Sequence, residues 1–166
     1  MLNKAIILDE LSQAKVAHMR WIKRADHLIS GMPVEEYFIP LEPTACGFGK
    51  WLYGLVGEKL RSIYIFESTI CQIEMTHDKL HAVYGEIYNI FYSRPQSRTL
   101  LHMIVTLGSN KVSKKELLQA KEYFSILQEY SLELIRQIEK LEKAVKAVDM
   151  VVLQRREQSS VPLRQV

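Results

Sequence analysis

The chain has 166 residues, the length of about one domain. Hydrophobic residues make up 48% and charged residues 25%, a globular balance, and a net charge of +3 is too small to argue for a nucleic-acid partner. Two cysteines cannot build a disulfide framework, and no apolar run reaches the roughly 18 residues of a membrane span. Asp9 and Glu10 interrupt the first apolar stretch too early for a signal peptide, so a soluble cytoplasmic protein is expected.

The first element is read from spacing. Ile7, Leu11, Ala14, His18, Trp21, Ala25 and Leu28 alternate four and three apart, which places them on one helical stripe. His18 is the strongly polar member. Gly31, with Pro33 beyond it, predicts the stop. Residues 31–45 hold three prolines and read as an extended connection, followed by a short Gly-rich element from Cys46 to Leu55.

A second stripe, Ile63, Phe66, Ile70, Ile73, His77, Leu80, Tyr84, Ile87 and Phe91, predicts a long helix over about Glu58 to Tyr92. Residues 99–107 suggest a short apolar helix that ends at Gly108-Ser109-Asn110. Ser113 and Glu116 form a capping-box pattern that opens a last helix, Lys114 to about Leu153. Its Leu134, Ile138, Leu141, Val145, Val148 and Val152 are spaced four and three. Ile138, Val145 and Val152 fall at one seam position and Leu134, Leu141 and Val148 at the other; beta-branched residues at the first with Leu at the second suit a parallel two-stranded coil. The flanking Ile135, Gln137, Ala144 and Val151 make a poor charged rim, so packing into the bundle is expected to about Glu142. A dimer or partner contact is expected beyond it. The fold class is all-α: an antiparallel helix bundle of four main helices plus short elements.

Chemistry concentrates in the histidines and cysteines. His77 and His81 stand four apart, so on a helix both imidazoles can reach one ion. An uncharged core histidine needs partners for its ring nitrogens. The plainer reading is a core His77 bonded to Tyr84 or to a backbone carbonyl. Yet two apolar stripes each contain a histidine, and both stripes face one core, which favours convergence on something shared. Zinc would supply it, and three histidines leave one place for Cys46 or Cys71. Cys71 stands six residues before His77, about 240° round the helix, and reads as a small buried hydrophobe. Cys46 opens the Gly-rich turn, where a helix N-terminus and Lys50 would favour the thiolate. His27, half a turn from His18, should face away, and His102 has no assigned role.

His18-Met19-Arg20-Trp21, then Cys46-Gly47-Phe48-Gly49-Lys50-Trp51, then His77-Asp78-Lys79-Leu80-His81 resembles the signature of the chemoreceptor zinc-binding (CZB) domain family. That signature reads H-x-x-W, C-x-F/L-G-x-W and H-x-x-x-H. All three parts match in order, both tryptophans included, between Ala17 and His81. The resemblance implies a zinc-binding helical domain, taken over residues 1–153; residues 154–166 are polar, hold Pro162 and are expected to be a disordered tail. It also implies a 3His/1Cys zinc site inside the bundle, with His18, Cys46, His77 and His81 as the ligands. CZB members are cytoplasmic bacterial regulatory modules attached to chemoreceptors or diguanylate cyclases. They are implicated in sensing zinc, or oxidants such as hypochlorous acid through the zinc-bound cysteine.

No receptor signalling segment or cyclase domain is visible in the chain. Its output is expected to pass through a homodimer, or through a partner in chemotaxis or cyclic-di-GMP signalling. No nucleic acid and no membrane insertion are expected. Four protein ligands would fill zinc's shell, so no enzymatic activity is expected. Cys46 is the candidate redox switch. Glu74 and Asp78 are candidates to orient an imidazole, against the plainer reading of solvated carboxylates; Trp21 and Trp51 should pack around the site. A metal-free helical adaptor or oligomerisation module is the alternative. A hemerythrin-like metalloprotein would need more histidines and bridging carboxylates on the core seams.

Overall fold

A computed structural model describes residues 2–34, 40–92 and 112–148. Their elements are α1 (Lys4–Ile29), a 3-10 turn (Pro43–Ala45), α2 (Gly47–Leu52), α3 (Leu55–Arg61), α4 (Tyr64–Phe91) and α5 (Lys114–Ala147), with no strand among the described residues. Three helices are long; α2 and α3 are short and sit between α1 and α4 in the chain. The expected helix over 99–107 and its stop, His102, Val151, Val152 and the tail 154–166 lie outside the described residues.

The predicted stripes are the core. All seven members of the first are buried in α1. Of the second, every member from Ile63 to Ile87 is buried, and Phe91 packs at the edge. Leu134, Ile138, Leu141 and Val145 of α5 are fully buried. The seam of α5 therefore stays inside the bundle as far as Val145, past the Glu142 limit read from the sequence.

The reason for that extra length is a tie between the two ends of the chain's described part. Lys4 at the start of α1 donates from Nζ to the carbonyls of Lys146, at 2.6 Å, and Val148, at 3.0 Å. These are among the last α5 carbonyls, which lack intrahelical partners. Lys15 and Glu142 pair at 2.9 Å along the same interface. At the other end of the bundle Leu28 and Ile29 of α1 share a cleft with Phe91 of α4 and Leu117 of α5.

These contacts fix the directions. The start of α1 meets the end of α5, and the end of α4 meets the start of α5, so α5 runs antiparallel to both. It follows that α1 and α4 are parallel. Trp21 and Tyr84 have ring centroids 5.3 Å apart, and further along Tyr92 donates to the Val34 carbonyl at 3.0 Å. The antiparallel bundle read from the sequence thus contains one parallel pair, and that pair carries the histidines.

Helix ends follow their local sequences. Asn3 caps α1 by accepting from the Ala5 and Ile6 amides. Gly31, at φ 79°, closes it: its own amide donates to Leu28 and the Met32 amide donates to His27. Ser113 and Glu116 form the expected capping box.

One boundary differs. The helix expected from Glu58 to Tyr92 is broken between Arg61 and Tyr64. Ser62 turns its hydroxyl onto the Lys59 carbonyl at 2.7 Å, and Ile63 is extended with its side chain buried. Burying Ile63 at the start of α4 redirects the chain, so α3 packs beside α4 instead of extending it. An Arg61–Glu74 ion pair joins them. No helix of the described residues is long and apolar enough to cross a membrane.

Gly57 marks where α3 meets the end of α2. A Cβ there would lie 1.8 Å from the Leu52 carbonyl oxygen. Gly57→Ala is expected to destabilise the protein by about 1–3 kcal/mol, the scale of overpacking a rigid contact. Urea denaturation with an unchanged m-value would measure it.

Candidate metal centre

The parallel pairing of α1 and α4 brings His18 level with His77 and His81. The ring centroids are 5.7 Å apart for His18 and His77, and 4.6 Å for His77 and His81. All three are inside the core, at 3%, 0% and 2% exposure respectively.

Two of the rings are oriented by backbone carbonyls. His18 Nδ1 meets the Ala14 carbonyl at 2.8 Å, one turn back on its own helix. His81 Nδ1 meets the Leu41 carbonyl at 2.9 Å. A carbonyl can only accept, so each Nδ1 carries the proton and each Nε2 keeps a lone pair. Both Nε2 atoms are buried and lack any hydrogen-bond partner. The Nδ1 of His77 is buried and unpartnered as well. An unsatisfied buried polar group costs about 1–3 kcal/mol, so this cluster is uneconomical as packing alone.

Cys46 enters from the other side. It is the N-cap of α2, and its Sγ accepts from the Gly49 amide at 3.1 Å. The same sulfur lies 3.3 Å from His77 Nε2. Gly49 makes this approach feasible, because a Cβ there would stand 1.7 Å from the Pro43 carbonyl oxygen. Ligand atoms of Cys46, His77 and His81 all lie within 4.8 Å of one another. His18 falls outside that set of three but adjoins it through the His77 ring.

The donor chemistry fits zinc. Three imidazoles and one sulfur are the N/S ligands that this ion takes, and oxygen-seeking cations would find none of their preferred carboxylates here. No Asp or Glu is buried among the described residues, so the bridging carboxylates of a hemerythrin-like centre are not present there. The Tyr84 partner considered for His77 is not seen either; His77 meets Cys46 instead.

Burial sets the protonation of the cluster. It lowers His18 to about 4 and His77 to about 3, and the neighbouring imidazoles lower them further. Burial also lowers His81, opposed by the Leu41 carbonyl and the charge of Asp78. All three imidazoles are therefore neutral at pH 7, the form a metal binds. The expectation of a thiolate at Cys46 is reversed in the metal-free protein. Burial pushes the thiol up, outweighing the Gly49 and Phe48 amides and Lys50, which pull it down.

The surrounding candidates divide. Trp21 packs on His81 with ring centroids 4.6 Å apart, and Trp51 stacks on Phe48 at 5.7 Å. Neither carboxylate orients an imidazole by a hydrogen bond. Glu74 pairs with Arg61, and Asp78 accepts from the Tyr53 hydroxyl at 2.6 Å. Burial and that carboxylate hold the Tyr53 phenol well above its usual range, so it stays a donor. Cys71 is half-buried and outside the cluster, and His27 is also apart from it.

Phe48 is a wall of the site that the motif did not assign. Its ring stands edge-on to His18 at 5.4 Å and to His77 at 5.3 Å. The Ala14 carbonyl was readable from the i−4 spacing on a helix; nothing in the sequence marks the Leu41 carbonyl. A cleft of about 280 Å³, lined in part by Arg20, Arg24 and Phe48, leads from the surface to His18 and Cys46.

The site is thus a buried cluster of N and S donors, of a kind that could hold a metal ion, in an all-α bundle. The family model of the chemoreceptor zinc-binding domain, CZB, matches residues 18–88, a span that starts at His18 and runs past His81. The match takes in less than half of the chain, and over those residues the chain is similar to a CZB domain. No curated protein and no solved structure matches it.

Histidines that resist protonation in the folded state make the metal-free protein acid-sensitive. Unfolded imidazoles take up protons near pH 6.5, whereas His18 and His77 do so only near about 4 and 3. Between those values the unfolded chain binds more protons, so stability falls as pH drops. The urea midpoint of the metal-free protein should be steady around pH 7 and decline from about pH 6.5 towards pH 4.

Proposed function

We propose that the protein is a zinc-binding regulatory module of the cytoplasm, in which His18, Cys46, His77 and His81 together hold one Zn²⁺. The observation that carries this reading is the pair of buried Nε2 lone pairs on His18 and His81, fixed by carbonyls and left without partners beside His77 and Cys46. The CZB match supports zinc as the metal.

Bound zinc would supply a cross-link between α1, the N-cap of α2 and α4. With four protein donors its preferred shell is filled, which argues for a regulatory role rather than hydrolysis. The chain's own residues do the rest: Ala14 and Leu41 hold the imidazole tautomers, while Phe48 and Trp21 keep water from the rings. Cys46 is the donor most open to change, because the cleft beside Arg20 and Arg24 reaches it. An oxidant such as hypochlorous acid that converts its sulfur to a sulfenic acid would remove the thiolate donor and loosen the α2 end. The altered bundle would then be read by a second copy of the chain, or by a chemoreceptor or cyclase partner.

Elemental analysis of protein purified without added metal should find about one zinc per chain, the stoichiometry of a closed structural site. His77→Ala should abolish it. Cys46→Ala should weaken zinc binding and remove the response to oxidant. Chelation should lower the melting temperature of the wild type and leave that of His77→Ala unmoved. Absence of zinc from the wild type, with a melting curve indifferent to chelator, would overturn the proposal in favour of a metal-free adaptor.

A further inference from the structure

The short helix that presents Cys46 is tied to α4 at both of its caps. At the N-cap, Cys46 Sγ lies 3.3 Å from His77 Nε2. At the C-cap, the Tyr53 hydroxyl donates to Asp78 Oδ1 at 2.6 Å. The two ties land on consecutive residues of α4. The backbone of α2 itself packs chiefly on α3, the 3-10 turn and α1. Besides the Phe48 ring, which stands edge-on to His77, side chains at its two caps carry the attachment between α2 and α4.

The remaining contacts make that attachment decisive. α3 is secured separately, by its packing on α4 and by the Arg61–Glu74 pair. The contact of Gly57 with the Leu52 carbonyl presses the end of α2 onto α3. The C-terminal end of α2 is thus an anchored pivot, and its N-terminal end is held by the Cys46 sulfur. When that sulfur lets go, the Tyr53–Asp78 bond is the cap tie that still draws α2 onto α4. The Tyr53 ring stands 6.2 Å from the His77 ring, so the same contact also flanks the site.

We propose that Tyr53 and Asp78 are positioning residues for Cys46: their hydrogen bond holds α2 so that the sulfur stays against His77, and thereby sets how readily the thiol leaves the site and reacts. Its consequence for metal retention rests on the zinc reading above. Its consequence for the thiol does not, because the bond is made by the protein alone.

The test uses the full chain with Cys71→Ser, which leaves Cys46 as its single thiol. Alkylation by iodoacetamide is timed at constant pH in chelator-treated and zinc-loaded protein. Tyr53→Phe should react about fivefold faster, the scale of one hydrogen bond's net contribution. It should also release zinc faster to a chromophoric chelator. Asp78→Ala should match it. Asp78→Asn keeps an acceptor oxygen for the hydroxyl and should stay close to the parent rate. Unchanged alkylation in Tyr53→Phe would overturn the proposal. So would an Asp78→Asn rate equal to that of Asp78→Ala, which would make the carboxylate's charge the cause. Asp78 is exposed, so its two variants decide the matter even where Tyr53→Phe folds poorly. A parent chain that holds no zinc would sink the zinc reading, while the chelator-treated rates would still decide this one.

Discussion

The structure turns on three imidazoles buried in an otherwise apolar core. His18 and His77 each interrupt a hydrophobic stripe at a position where a leucine or isoleucine would pack without polar cost, and His81 is buried beside the second stripe. Two of them spend one nitrogen on a backbone carbonyl, which fixes the ring and leaves the opposite nitrogen aimed at nothing the protein supplies. A fold selected only for packing would discard such an arrangement. A fold that receives a cation requires it, because the carbonyl bonds choose the tautomer before the ion arrives.

The helix directions bear on the same cluster. His18 stands level with His77 and His81 on two helices, α1 and α4, that run in parallel. Two parallel helices cannot be joined by a tight turn, and the chain between them contains the 3-10 turn, α2 and α3. Those elements deliver Cys46 and close the site from the side. α5 then covers both long helices from the opposite direction, and Lys4 binds the far end of α5 back to the start of α1. The connection that the parallel pair needs for topological reasons is therefore also the one that carries the fourth donor.

Burial and backbone polarity compete at Cys46. The N-cap position surrounds the sulfur with amide donors, and by itself that would favour the thiolate. Desolvation wins in the metal-free protein and holds the thiol protonated. Without a metal the cluster is consequently uncharged throughout, with neutral imidazoles and a neutral thiol. A divalent ion would supply the charge that makes proton loss from the thiol favourable, so metal binding and deprotonation are coupled at this residue.

Much of this was legible in the sequence. The four-three spacing determined the buried faces of α1, α4 and α5, because the helix period depends only on local geometry. Gly31, Ser113 and Glu116 determined helix ends through hydrogen bonds that span a few residues. The order of the three motifs pointed to the family and to its residues. Tertiary structure decided what depends on distant neighbours. The break at Ser62-Ile63 arises because Ile63 finds a buried place only when the chain turns, and a continuous apolar pattern carries no trace of that. Glu74 and Asp78 looked like equivalent partners for the histidines on α4, but Arg61 claims one and Tyr53 the other. The protonation of Cys46 was misread because Lys50 and the helix start are local signals, whereas burial is a sum over the whole bundle. Periodicity sees only one helix at a time, and the partner of each nitrogen and sulfur is chosen by the helices it meets.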